Sequence, residues 1–366
     1  MKFSIDRDEI LGELQLLQGI VEKRNTMPIL ANILMNVTEK EVELIGTDLE
    51  VGLKTHFSAQ IEKTGALTAS GKKLFEIIRS LPEGQKVTFQ ESQELNMEII
   101  SGASEFKVLC LPKEDYPQVP EPNFQKNIRL PLKKVKEMIE SVYFAISQEQ
   151  RYYLNGALMI LKDESIELVS TDGHRLAYTA LPLEDIKLGG EIRVIVSKKT
   201  LNELRKFEDD AIEFDLDESN LFFKVKDRTL IARIIEGKFP NYEAVIPKDN
   251  PYTIQVDREK ISEAIRRVAL LTMERSKGIK FSIEKNQIRL FSSNPEMGEA
   301  RDRVEVGYEG NEMEIGFNSQ YILDFLTAAK ADSILVEVKD ENSAVLMRPE
   351  TGEDIRYLYV LMPMKI

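Results

Sequence analysis

Two hydrophobic periods take turns along the 366-residue chain. In six stretches apolar residues recur at i, i+3 and i+4, the spacing that gives a helix one apolar stripe; between them, short runs alternate apolar and polar residues, as a strand with one buried face requires. The helical windows fall at 7–24, 70–82, 131–143, 197–207, 257–270 and 319–331. Ser70, Ser197 and Asn318 stand where a side-chain oxygen would cap the first turn of three of them. The order of elements then repeats. FSIDRDEILGELQLLQGIV from Phe3, IRLPLKKVKEMIESVYFAI from Ile128 and IQVDREKISEAIRRVALL from Ile254 each read as a short strand, a turn and a helix. In each, seven residues separate the first strand position from an apolar helix position: Phe3 to Ile10, Ile128 to Val135, Ile254 to Ile261.

Each such unit continues with a hairpin of alternating strands, and the hairpin turns at Asp48, Asp172 and Asn294 lie 124 and 122 residues apart. A second helix and two to four further strands follow, with polar turns between them. A period of about one third of the chain means three copies of one α+β unit, two helices and antiparallel strands in each. The expected boundaries are 1–122, 123–249 and 250–366, where EPNFQ and KDNP supply proline and polar residues.

Charge follows the same division. The net charge is −13, which taken whole argues against a polyanionic partner. The six helical windows nevertheless sum to +6, which leaves −19 for everything else. Lys72, Lys73, Arg79, Lys133, Lys134, Lys136, Lys198, Lys199, Arg205, Lys206, Arg266 and Arg267 carry most of that positive charge. A surface built from these helices would hold DNA through phosphates alone, without reading sequence.

Composition narrows the chemistry. One cysteine, Cys110, excludes an intrachain disulfide and a cysteine metal cage, and two histidines, His56 and His174, nearly exhaust histidine-based catalysis. An enzyme here would run on carboxylates, and a divalent metal held by Asp48, Glu50, Asp172 and His174, as in a nuclease, is the alternative reading. Against it, Asp48 and Asp172 occupy equivalent turns in different repeats and the third copy has Asn294, the pattern of turn residues that bond their own backbone. His174 reads as a turn residue. No run of about 18 apolar residues exists to span a bilayer, and the N-terminus lacks a secretory signal, so a cytoplasmic protein without membrane partners or cofactors is expected.

RYYLNG (151–156), STDGHRLA (170–177), GKFPNYEAVIP (237–247), EIGFNSQYILD (314–324) and the terminal VLMPMKI resemble the bacterial DNA polymerase III β subunits, the replicative sliding clamps. MPILANILM from Met27, GTDLE from Gly46 and SLPEG from Ser80 extend the resemblance over the whole chain. It implies three tandem DNA-clamp domains and a head-to-tail homodimer closing a ring, helices inside and sheets outside. The ring would slide on duplex DNA and tether the replicative polymerase α subunit, the clamp loader, other polymerases and mismatch-repair or ligase proteins through short peptides.

The same resemblance implies a peptide cleft between the second and third domains, formed by Arg151, Tyr153, Leu154, Thr171, Gly173, His174, Arg175, Leu176, Pro240, Val245, Asn318, Tyr321, Val360, Leu361, Met362, Pro363, Met364, Lys365 and Ile366. Aliphatic residues and two methionines suit an adaptable apolar floor. For DNA it implies Arg24, Gln148 and Tyr152, beside Lys72, Lys73, Arg79, Lys198, Lys199 and Arg205 of the helices. For the dimer it implies Phe106 and Val108 against Leu270 and Leu271 of the other subunit. Ala244 and Ser276 depart from the family pattern, where an arginine and an aromatic can stand; Lys365 and Ile366 keep its charge and apolarity.

Overall fold

The computed structural model describes residues 1–21, 27–92, 95–124, 128–148, 152–183, 188–350 and 354–365. The first third runs β1 (Lys2–Asp6), α1 (Arg7–Leu17), β2 (Asn32–Val37), β3 (Val42–Thr47), β4 (Val51–Phe57), β5 (Gln60–Lys63), β6 (Gly65–Ser70), α2 (Gly71–Ser80), β7 (Lys86–Ser92), β8 (Asn96–Ser101) and β9 (Ser104–Leu111). The second runs β10 (Ile128–Pro131), α3 (Leu132–Tyr143), β11 (Gly156–Lys162), β12 (Ser165–Thr171), β13 (Arg175–Pro182), β14 (Ile192–Ser197), α4 (Lys198–Leu204), β15 (Ala211–Leu216), β16 (Asn220–Val225) and β17 (Arg228–Arg233). The third runs β18 (Tyr252–Asp257), α5 (Arg258–Ala269), β19 (Gly278–Glu284), β20 (Gln287–Asn294), β21 (Gly298–Glu305), β22 (Met313–Asn318), α6 (Ser319–Ala328), β23 (Ser333–Val338), β24 (Val345–Pro349) and β25 (Arg356–Leu361).

The repeat extends to individual hydrogen bonds. The first residue of the leading helix donates its N–H to a carbonyl beyond the second helix in all three copies: Arg7 to Gln85, Leu132 to Asp210, Arg258 to Asp332. The paired apolar positions Phe3 and Ile10, Ile128 and Val135, Ile254 and Ile261 are all buried. Ser70 Oγ accepts from Lys73 N and Asn318 Oδ1 from Gln320 N and Tyr321 N, so both cap as their position predicts; Asp257 caps α5 in addition.

Two helices are shorter than their sequence windows. α1 ends at Leu17 rather than near 24, with Gln18 as its C-cap and Gly19 just beyond it, beside the side-chain ends of Glu203 and Lys206. α4 spans only Lys198–Leu204, after which Phe207 turns into the core.

Contacts divide the chain into two compact units, Met1–Lys133 with Lys199–Ile234, and Lys134–Lys198 with Ile235–Ile366. The first holds one 13-stranded sheet, in which β17 of the second repeat pairs antiparallel with β4 of the first, Arg228 opposite Thr55 through Ala232 opposite Val51. A charged contact reinforces that join, Glu13 of the first repeat taking Arg228 of the second; within the first repeat Glu13 also accepts from the Thr55 hydroxyl and Lys54 pairs with Glu121. The second unit holds an eight-stranded and a four-stranded sheet. In the former, β13 of the second repeat pairs with β25 of the third, from Arg175 opposite Leu361 to Ala180 opposite Arg356. Among the described residues no helix is long and apolar enough to cross a membrane.

Candidate functional site

The three hairpin turns set the chemistry of the region. Asp48 Oδ1 accepts the N–H groups of Glu50 and Val51, Asp172 Oδ1 those of His174 and Arg175, and Asn294 Oδ1 that of Glu296. These are Asx turns, which asparagine makes as well as aspartate. The second carboxylate oxygens are engaged too, Asp48 with Lys199 and Asp172 with Arg175 Nε at 2.9 Å. Gly173 has φ +92°, a left-handed conformation that favours glycine, and Thr171 Oγ1 receives its N–H at 3.1 Å while donating to Arg175 O.

Around this turn the second unit brings together most of the residues expected to receive a peptide. β13 and β25 lie side by side with Leu176 opposite Val360, and both side chains join Leu154 in one buried apolar cluster, with Tyr153 packed against it. Gly237, at φ +137°, brings its Cα close to Tyr153, where an added Cβ would lie 3.0 Å from the Tyr153 Cβ. That approach delivers the segment carrying Pro240 and Val245; both are exposed, while Phe239 and Tyr242 between them anchor in the cluster. On the other flank, α6 contributes Tyr321, whose ring stacks on His174 at 6.4 Å between centroids, one turn after Asn318.

The C-terminal segment is held rather than frayed. Met362 N donates to His174 O at 3.0 Å and Met364 N to Gly316 O at 2.9 Å. Leu361 is buried, Met362 is 43% exposed, Pro363 and Met364 are half-buried, and Lys365 is exposed. Polar backbone is thereby satisfied while a methionine side chain faces outward, an adaptable apolar surface for a partner. Arg151 and Ile366 lie outside the described residues.

Arg175 occupies a different place from its expected neighbours. Its guanidinium points inward: Nε to Asp172, Nη1 to Asp324 Oδ2 at 2.6 Å, Nη2 to the Phe144 carbonyl at 2.7 Å, with its centre 4.2 Å from the Tyr321 ring centroid. Side-chain exposure is 9%, so the residue pins the turn to α6 and to the end of α3 rather than lining the cleft. Asp324 and the Phe144 carbonyl went unrecognised in the sequence, although Asp324 stands three residues after Tyr321 and so shares its helix face.

Cations expected to meet DNA divide into three kinds. Lys72 and Lys73 are exposed and lean on Glu76, and exposed Arg79 lies over the Phe75 ring at 5.2 Å. Lys198 sits over the Tyr143 ring at 4.9 Å, and burial, with the Arg175 charge nearby, lowers its pKa below the usual lysine range. Lys199 is committed, bonded to Asp48 and to the Ile20 carbonyl, and Arg205 is half-buried. Gln148 is exposed; Arg24 and the Tyr152 side chain lie outside what is described. Among the expected dimer residues, Phe106, Val108 and Leu271 are half-buried, and Leu270 is 75% exposed. Leu109, beside them, was not anticipated and is 80% exposed.

Three family models cover the chain in order: the DNA polymerase III beta subunit N-terminal domain over residues 1–120, its central domain over 129–241 and its C-terminal domain over 243–365. The beta sliding clamps of Proteus mirabilis and of Escherichia coli K12 are 34% and 33% identical to it, each comparison covering 100% of both chains. The crystal structure of a sliding clamp from Bartonella birtlesii, bound to griselimycin, superimposes with a TM-score of 0.95 at 34% identity, and that of the Caulobacter crescentus beta sliding clamp with 0.94 at 33%, both over 100% of each chain. With three domain models in order and relatives aligned over its full length, this chain belongs to the DNA polymerase III beta subunit family, the bacterial sliding clamps.

Proposed function

We propose that two copies of this chain close head to tail into a ring of six domains, bounded in each chain at 1–122, 123–249 and 250–366, which encircles duplex DNA in the bacterial cytoplasm. The chain is a non-catalytic accessory subunit; its work is topological. A linked ring needs little binding energy to remain on DNA, so weak phosphate contacts from Arg24, Lys72, Lys73, Arg79, Gln148, Tyr152, Lys198 and Arg205 serve it better than tight ones, while Lys199 stays bonded to Asp48. The negative remainder of the chain disfavours DNA elsewhere on its surface. The single observation that carries this reading is the threefold repeat matched end to end by the three clamp-domain models in order.

Closure has a physical basis in two strand edges. β9 pairs with β6 only at Cys110 and Leu111, and β21 ends its sheet, so each offers backbone groups to another strand. The exposed Leu109 and Leu270 lie near Phe106, Val108 and Leu271 in sequence, and burying them in a partner removes apolar surface from water. The cleft then receives short apolar peptides from the polymerase α subunit, the clamp loader and repair proteins. The test is retention after loading on circular DNA and on the same DNA linearised. A ring stays on the circle and runs off free ends; equal retention on both refutes the mechanism.

A further inference from the structure

A cavity of about 740 Å³ in the second unit adjoins the proposed cleft. Its floor is the continuation of the cleft floor along the same two strands. Leu176 and Val360, opposite each other, belong to the cleft; one side-chain pair further along, Tyr178 stands opposite Leu358 on the same sheet face. Leu346 of β24, opposite Val360, widens that floor, and all five belong to one buried cluster with Tyr242. The Tyr178 and Tyr242 rings stack at 6.0 Å, and Tyr242 donates its hydroxyl to Glu167 at 3.1 Å. Burial, with Glu167 adding, pushes Tyr178 up to about 12, so its hydroxyl stays protonated and able to donate. The rim is polar: Arg356 lies 5.9 Å from the Tyr178 ring, and Lys248 and Glu243 line the opening.

We infer that this groove is a second docking site, which takes the polypeptide segment adjoining the clamp-binding peptide in the same partner chain. An apolar floor continuous with the cleft seats apolar side chains of that segment, and a rim of both charges seats its polar ones. A partner engaging both sites gains affinity over its minimal peptide without a second independent binding event. The inference rests on the peptide cleft proposed above.

The test compares two ligands on the full-length dimer: the purified replicative polymerase α subunit, and a minimal peptide carrying only that subunit's apolar clamp-binding motif. Arg356→Glu alters the exposed rim and Ile246→Trp fills the groove, with thermal melting to check the fold of each. Either variant should weaken the α subunit at least tenfold while the peptide changes less than twofold. The inference is overturned if both folded variants bind the α subunit as wild type does, or if the peptide weakens in parallel. Deletion of 362–366 examines the cleft separately: loss of peptide binding supports the cleft whatever the groove variants do, and unchanged peptide binding shows that the cleft itself is misplaced.

Discussion

Replacing Arg175 by alanine tests whether that residue holds the cleft together from beneath. The substitution removes three hydrogen bonds and a cation lying over Tyr321, and strands Asp172 and Asp324 without their countercharge. Breaking a buried ion pair from one side costs about 3–5 kcal/mol. The two carboxylates keep 17% and 22% side-chain exposure, so water relieves part of their isolation and the lower end, about 3 kcal/mol, is the better figure. In a domain of this size each kcal/mol moves the melting temperature about 2–4 °C, so a fall of roughly 6–12 °C is expected by calorimetry. Peptide affinity should fall with it, because the turn carrying His174 and the helix carrying Tyr321 lose their common anchor. His174→Ala, by contrast, should weaken the peptide with melting unchanged. A melting temperature for Arg175→Ala within 2 °C of wild type refutes the anchoring argument.

Other substitutions probe separate steps. Gly156→Ala puts a Cβ into the Val196 carbonyl oxygen of the neighbouring strand, and because the obstacle is backbone the loss belongs at the upper end of about 1–3 kcal/mol, read as a lower denaturation midpoint; unchanged stability would show that β14 shifts freely. Deleting 362–366 should abolish polymerase binding in calorimetry and leave the dimer intact in sedimentation, and retained affinity would misplace the cleft. Leu109→Asp or Leu270→Asp, at 80% and 75% exposure, should convert the dimer to a monomer at micromolar concentration without lowering the monomer's own stability, and a dimer unaffected by both would move the interface elsewhere. Burial, with the Glu91 charge adding, pushes the Cys110 thiol up to about 11. Iodoacetamide at pH 8 should therefore alkylate the folded chain at least ~100-fold more slowly than the urea-unfolded chain, in which cysteine sits near its ordinary ~8.5; equal rates would contradict the burial.

Local chemistry was the readable part of this molecule. The caps at Ser70 and Asn318, the Asx turns at Asp48, Asp172 and Asn294, and the buried partners Phe3 and Ile10 follow from spacing and side-chain type, because each depends on neighbours within a few residues. Features set by distant neighbours were not readable. α1 stops at Leu17, and the side chains of Glu203 and Lys206 that lie beside Gly19 there come from far along the chain. Lys199 has the residue type and helix position of a phosphate ligand, but Asp48 and the Ile20 carbonyl, distant in sequence, hold it. Arg175 lies in STDGHRLA, and strand alternation gives the face its side chain occupies, but not Asp324, 149 residues on. The apolar tail is plain in the sequence, but the carbonyls of His174 and Gly316 that hold it come from two different repeats.

The two ladders that join neighbouring repeats, β17 to β4 and β13 to β25, also determine how this chain can be cut. A fragment ending near residue 122 would leave the whole of β4 with an open edge, and one beginning near residue 250 would leave β25 in the same state. Each bared strand has a mostly buried face, Val51 to Thr55 in one and Tyr357 to Leu361 in the other, so the fragments would present sticky edges to one another and to themselves. Expression of single repeats is thus a route to aggregates, and a change that shortens either ladder would be felt by two repeats at once.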